Sequence, residues 1–216
     1  MRSMLVIGLG RFGENLAESL VKLGNEVVVV DENEEKVNAI APYVTGAYIG
    51  KCTNEEVLEG LGINNFDMCF VCISEDFQSS LEITSLIKEM GAKVVASKVD
   101  RDTHAKFLKK IGADIVIYPE KDMAQKAAVR YSSPFVVDYF EVMDDYGMFE
   151  VETPQSWIGK TIKEVNVRAK YNLNIIGVKD QFNINPVDPD YHFKENEHLL
   201  VLGKNNDVIK SIEKRL

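Results

Sequence analysis

Gly8-Leu9-Gly10-Arg11-Phe12-Gly13 sets three glycines at G-x-G-x-x-G spacing, directly after the apolar run 4–7. A strand that turns into a helix through such a loop presents backbone N–H groups and the positive end of the helix dipole to an anion. Gly8 permits the tight turn, Gly10 lets the backbone approach a diphosphate, and Gly13 lets the helix pack close to the strand. Asp31 ends the second apolar run, about 20 residues further on, where a carboxylate accepts hydrogen bonds from ribose hydroxyls and repels a 2′-phosphate. The pattern predicts an adenosine nucleotide or NAD(H), not NADP(H). The competing reading, a glycine-rich turn that binds nothing, has strand, loop, helix and acid all set against it. Arg11 adds a cation where the helix dipole mildly disfavours one. It can lie near phosphates of its own site or reach a phosphate on a neighbouring subunit.

The elements that must position this loop follow from periodicity. Up to residue 135, short β-branched runs at 4–7, 27–30, 47–49, 68–73, 94–97 and 115–118 alternate with amphipathic stretches at 11–23, 34–40, 55–61, 77–90, 103–111 and 121–131. Continuous apolar runs without strict alternation predict a parallel sheet covered on both faces. Six strands alternating with helices predict an α/β, Rossmann-like doubly wound domain over 1–135. The break at Ser132-Ser133-Pro134 opens a small α+β domain over 136–216. There, runs at 136–143 and 148–151 flank Asp144-Asp145-Tyr146-Gly147, a hairpin signal. A short helix at 161–165, strands at 174–178 and 198–202, and a last helix at 205–216 complete the reading.

Composition narrows the function classes. The 216 residues carry 25 Lys plus Arg against 34 Asp plus Glu, a net charge of −9. That balance lacks the electrostatic footprint of a general nucleic-acid binder. No run approaches the roughly 20 apolar residues of a bilayer span, and no signal peptide is recognisable. Three cysteines, Cys52, Cys69 and Cys72, form an odd and sparse set that suits a reducing cytoplasm. Cys69-x-x-Cys72 resembles half a zinc site but falls in a strand, where residues three apart point to opposite faces, so it reads as core packing. A dehydrogenase would need a general acid or base beside the nicotinamide. His104, His192 and His198 are the only histidines, and no Ser/His/Asp or Lys/Tyr arrangement accompanies them. A nucleotide site without a recognisable catalytic site points to regulation and not to an enzyme. A small NAD-dependent oxidoreductase or redox sensor is the alternative, and a stand-alone nucleotide scaffold is a third.

The glycine loop with Asp31, the Asn166-Val167-Arg168-Ala169-Lys170-Tyr171 block, and Ile111-Gly112-Ala113-Asp114 leading into Pro119-Glu120-Lys121-Asp122-Met123 together resemble the RCK (KTN) regulatory subunits of bacterial Ktr/Trk-type potassium uptake systems. The resemblance covers essentially the whole chain. It implies an RCK N-terminal nucleotide-binding domain followed by an RCK_C (TrkA-C) ligand-binding domain. It implies a homodimer that assembles into a homo-octameric ring on a membrane potassium channel subunit of KtrB type, at the cytoplasmic face of the membrane. ATP and ADP would compete for the first domain. Gly8, Gly10, Arg11, Phe12, Gly13 and Asp31 would form the phosphate and ribose site, with Lys51, Cys52, Thr53, Ile73 and Ser74 bordering adenine and ribose. Lys98 would lie on the phosphate side. Glu120 would help hold Mg²⁺ or Ca²⁺ beside ATP; read by itself, it is equally a carboxylate in the first turn of the helix that follows. Cyclic di-AMP would bind the second domain through Asn166 and Arg168, with Ile158, Ile176 and Pro186 flanking the adenines.

Overall fold

Leu5 and Ile7 pack on one face of strand β1 (Ser3–Ile7), and Met4 and Val6 pack on the other. A strand covered on both sides needs apolar residues at every position, and that is why the runs read from the sequence are continuous. β2 (Glu26–Asp31), β3 (Gly46–Ile49), β4 (Met68–Val71), β5 (Val95–Lys98) and β6 (Ile115–Ile117) join it in a parallel sheet of order β3-β2-β1-β4-β5-β6. The order reverses at β1, the point where doubly wound sheets open a crevice at the carboxyl ends of their strands.

Helices α1 (Arg11–Lys22), α2 (Glu34–Ile40), α3 (Glu55–Leu61), α4 (Phe77–Glu89), α5 (Asp102–Ile111) and α6 (Pro119–Tyr131) follow the six strands in turn. Asn33, Asn54 and Asp76 cap α2, α3 and α4 with side-chain oxygens, whereas α1 starts at Gly10 without any side-chain cap. Its first N–H groups are thus left for another acceptor. The computed structural model describes residues 1–73, 75–143, 145–180 and 183–213. Its contacts divide the chain into Met1–Lys121 and Asp122–Leu216. The division falls inside α6, earlier than the Ser-Ser-Pro break chosen from composition.

The second unit is an antiparallel sheet of order β10-β9-β11-β8-β7. Its strands are β7 (Val136–Met143), β8 (Tyr146–Glu152), β9 (Asn174–Lys179), β10 (Ile184–Pro186) and β11 (His198–Lys204). Phe149, Val151, Trp157, Leu173, Phe193 and Leu199 fill its core. The hairpin between β7 and β8 is tighter than the sequence suggested: Tyr146 and Gly147 already pair with Met143 and Glu141, and Asp144 lies outside the described residues. Gly147 is a packing glycine, because a Cβ there would overlap the Tyr139 ring. Helix α7 (Ile162–Val165) starts with a capping box between Thr161 and Glu164 and stops at Asn166 in the left-handed conformation. A second short helix, α8 (Val167–Tyr171), then runs to left-handed Asn172. The last helix, α9, spans Asn205–Glu213, and residues 214–216 lie outside the description.

Candidate functional site

A cavity of about 290 Å³ lies at the carboxyl ends of β1, β2 and β4. Gly8 and Gly10 line it from the loop, Asp31 from the end of β2, Lys51, Cys52 and Thr53 from beyond β3, and Ile73 from beyond β4. These residues were all named from the sequence; Ser74, named with them, lies outside the described residues. The loop is held by its backbone. Gly8 N–H donates to Val30 O at 2.9 Å and adopts φ +95°, a conformation that favours glycine. Cys72 N–H donates to Ile7 O at 2.7 Å, which ties the segment after β4 to the end of β1. A Cβ on Gly13 would overlap the Gly8 carbonyl oxygen, so only glycine allows α1 to start this close to the loop. By contrast, a Cβ on Gly10 would meet no atom within 4 Å, which marks an open approach to the backbone.

The half-buried Asp31 carboxylate accepts from Leu9 N–H at 2.5 Å and from Asn33 N–H at 2.8 Å. It thus ties the glycine loop to the start of α2. Each carboxylate oxygen has a second lone pair, so ribose hydroxyls can still be accepted. Burial, helped by the Asp31 charge, pushes the Cys52 thiol up to about 12, and burial alone does the same for Cys72, so both are neutral in the cavity wall. Cys69 and Cys72 belong to different core clusters, in keeping with their reading as packing residues.

Glu75, Asp76 and Ser79 also line the cavity and were not singled out from the sequence. Asp76 accepts from the Ser79 hydroxyl at 2.6 Å and its N–H at 3.2 Å, and these bonds lower its pKa. The readable signal was Asp-x-x-Ser directly after an apolar strand, an N-cap at the sheet's reversal point.

Arg11, Phe12, Gly13, Lys98 and Glu120 do not line this cavity. Arg11 is exposed in the first turn of α1. Lys98 and Glu120, each named separately, meet at 2.9 Å, and the Lys98 ammonium lies 5.8 Å from the centre of the Phe12 ring. The Lys98 hydrogen bond, together with its charge, holds the Glu120 carboxyl below its ordinary value. Among the described residues no group of three or more His, Cys, Asp or Glu could hold a metal ion. Glu120 is thus paired with Lys98, and the Asp100 charge nearby acts in the opposite direction on its carboxyl.

In the second unit, Arg168 lines a shallower cavity of about 190 Å³ with Ile162, Val167, Leu173, Ile175 and Asp188. Ile158, Asn166, Ile176 and Pro186 do not line it. Asn166 is exposed at the α7–α8 junction. Ile176 is the extra residue of a bulge, since Leu200 and Val201 pair with Gly177 and Ile175, and it is 47% exposed. Pro186 pairs with Gly177 on the edge strand β10, also exposed. Arg168 faces one concavity, and the two apolar residues lie on open sheet surface.

A TrkA-N domain model matches residues 4–119, and a TrkA-C domain model matches residues 148–216. The chain is 36% identical over 217 residues to Ktr system potassium uptake protein C of Bacillus subtilis (strain 168), covering 100% of this chain and 97% of that protein. It is 39% identical over 209 residues to Ktr system potassium uptake protein A of the same organism, covering 96% and 94%. Among solved structures, the GsuK channel bound to NAD superposes over 100% of this chain and 39% of its own, with a TM-score of 0.69 and 18% identity. At that identity the likeness is one of fold.

Proposed function

This chain belongs to the TrkA-N/TrkA-C family of Ktr potassium uptake proteins, and we propose that it is a gating subunit switched by ATP against ADP. The observation that carries the reading is the cavity between the glycine loop and Asp31, open at Gly10 and adjoining the uncapped start of α1. Adenosine occupies the cavity, its ribose on Asp31, and its phosphates run along the N–H groups of α1. Mg²⁺ or Ca²⁺ accompanies ATP at Glu120, with the remaining ligands drawn from phosphate oxygens. The nucleotide is a ligand in this reading, and no residue is assigned a catalytic step.

None of the helices among the described residues is long and apolar enough to cross a membrane. Gating therefore proceeds by contact: homodimers form an octameric ring on a KtrB-type channel at the cytoplasmic face, and ATP and ADP favour different ring geometries. Cyclic di-AMP inhibits through the second unit, where Arg168 supplies the cation for a phosphate.

Calorimetry of the full chain with ATP, ADP, NADH and cyclic di-AMP tests the assignment. Binding of ATP and ADP, each lost in Asp31→Ala, is the expected result. Binding of NADH with no response to ATP or ADP would replace it with a redox sensor, since Asp31 serves the ribose of either ligand. Cyclic di-AMP binding that survives Arg168→Ala would remove the role given to Arg168.

A further inference from the structure

β3 is the outer strand of the parallel sheet, and among the described residues only β2 pairs with it. Its outer side therefore keeps a row of unpaired backbone N–H and C=O groups. Such edges are ordinarily blunted by a lysine, a proline or a bulge. Gly46-Ala47-Tyr48-Ile49 has none of these, and its register with β2 is unbroken. Tyr48 is 52% and Ile49 53% exposed, and Tyr43, just ahead of the strand, is 66% exposed. The Tyr48 ring folds back over Gly46, 3.3 Å from where a Cβ would stand, so it lies along the strand. Helix α2 packs beside β3 through Val37, Ile40 and Ala47, and α3 reaches its end through Val57 at Gly50. The outer faces here are acidic. Residues 32–59 hold Glu32, Glu34, Glu35, Glu55, Glu56 and Glu59 against Lys36 and Lys51, a net −4 of the chain's −9. All six glutamates are exposed, and among the described residues none is paired with a lysine, arginine or histidine.

Resting on the channel-gating reading above, we infer that the β3 edge is a docking strand for an extended, Lys/Arg-rich cytoplasmic loop of the membrane channel subunit. The backbone of the loop adds a strand beside β3, its apolar residues meet Tyr48 and Ile49, and its cations face the glutamates of α2 and α3. Membrane proteins concentrate lysine and arginine in their cytoplasmic loops, so a channel supplies the charge that complements this edge. Charge also disfavours two other occupants. A second copy paired β3 to β3 brings two rims of net −4 together, and an anionic lipid surface is repelled. β3 continues through Gly50 into Lys51, Cys52 and Thr53, which line the nucleotide cavity. Loop and nucleotide thus meet the same strand, one along its side and the other at its end.

The test is binding of the full chain to a KtrB-type subunit in phosphatidylcholine nanodiscs, read by biolayer interferometry, with empty nanodiscs as the blank. Glu34→Gln, Glu35→Gln, Glu55→Gln and Glu56→Gln together should weaken binding about tenfold at low salt and flatten its salt dependence. Tyr48→Lys, which sets a cation on the exposed edge, should weaken it by about tenfold as well. Thermal unfolding of each variant monitors folding. Hydrogen exchange on the unaltered chain, where the subunit should slow amides 46–49, keeps the test decisive if a variant fails to fold. Unchanged affinity of both variants, with amides 46–49 unprotected, overturns the docking site while the gating reading stands. Variants that bind the subunit as before but lose self-association in sedimentation assign the edge to a second copy and overturn it too. If the unaltered chain binds no channel subunit, the gating reading fails and takes this inference with it.

Discussion

Replacing Gly13 by alanine puts the loop geometry to a direct test. The added Cβ would overlap the Gly8 carbonyl oxygen and come within 3.1 Å of the Gly8 carbonyl carbon and 3.2 Å of the Cys72 Cβ. Gly8 has little room to retreat. Its N–H is bound to Val30 O at 2.9 Å, and a Cβ on Gly8 itself would lie 3.0 Å from Ile73 and 3.3 Å from the Cys72 backbone. Forcing one methyl into such a space costs about 1–3 kcal/mol. The helix propensity of alanine over glycine returns up to about 1 kcal/mol. The net loss of stability is therefore modest, and the damage falls on the loop. If its displacement costs one charged hydrogen bond to a phosphate, about 1.5–3 kcal/mol, affinity drops by about ten- to a hundredfold. Calorimetry with ADP beside a thermal unfolding curve measures both quantities. Gly10→Ala provides the contrast: its Cβ meets nothing in the protein, and Gly10 has φ −69°, so stability should hold while nucleotide affinity falls. A folded Gly13→Ala protein that binds ADP as tightly as the original would refute the argument.

Three more outcomes are expected. Asp31→Asn should weaken ATP and ADP by about ten- to a hundredfold, because a charged acceptor for ribose becomes a neutral one, and the original chain should prefer NADH to NADPH; direct titration checks both. Arg11→Ala should weaken ATP more than ADP if the exposed guanidinium meets the last phosphate, and equal losses in calorimetry would place it on the shared phosphates. Glu150 is buried, and burial would raise its carboxyl pKa. Lys179 at 2.7 Å and His198 at 2.6 Å outweigh that and lower it from the ordinary 4.5. A depressed carboxylate stabilises the fold above its unfolded pKa, and the contribution is lost as pH falls through the folded value. Glu150→Gln should therefore cost about 1–3 kcal/mol in urea unfolding at pH 7, with the difference shrinking below about pH 4. A constant difference down to pH 3 would contradict that linkage.

The first unit was legible because its signals are local and agree with one another. The β1 strand, the glycine loop and the α1 stripe are contiguous, and both ends of α2 and α3 fell where the pattern put them. The second unit was legible in outline only. Helix α8 is five residues long between two left-handed asparagines, too short to show a period. Strand β10 has three residues, ends in proline and takes its pairing from β9. Gly147 carried the signature of a turn, but its requirement comes from the Tyr139 ring across the hairpin. The site followed the same division. Asp31 and the loop residues announced themselves by spacing and Asp76 by the Asp-x-x-Ser cap pattern, whereas Glu75 carries no local signal. Lys98 and Glu120 were each named, but their contact joins the end of β5 to the start of α6, and no periodicity encodes such a pairing.

The three thiols give the protein a built-in clock. Cys52, Cys69 and Cys72 are buried, and burial pushes each up to about 12, so alkylating reagents find almost no thiolate in the closed state. Labelling must wait for an opening event. Cys52 and Cys72 sit in the cavity wall, and Cys69 lies on β4 in the middle of the sheet. The rate at which the first two react therefore counts local breathing of the cavity, and the rate for Cys69 counts unfolding of the sheet. A ligand that fills the cavity should slow the two clocks by different factors, so a mass spectrum of the unaltered chain could separate occupancy from global stabilisation without any engineered probe.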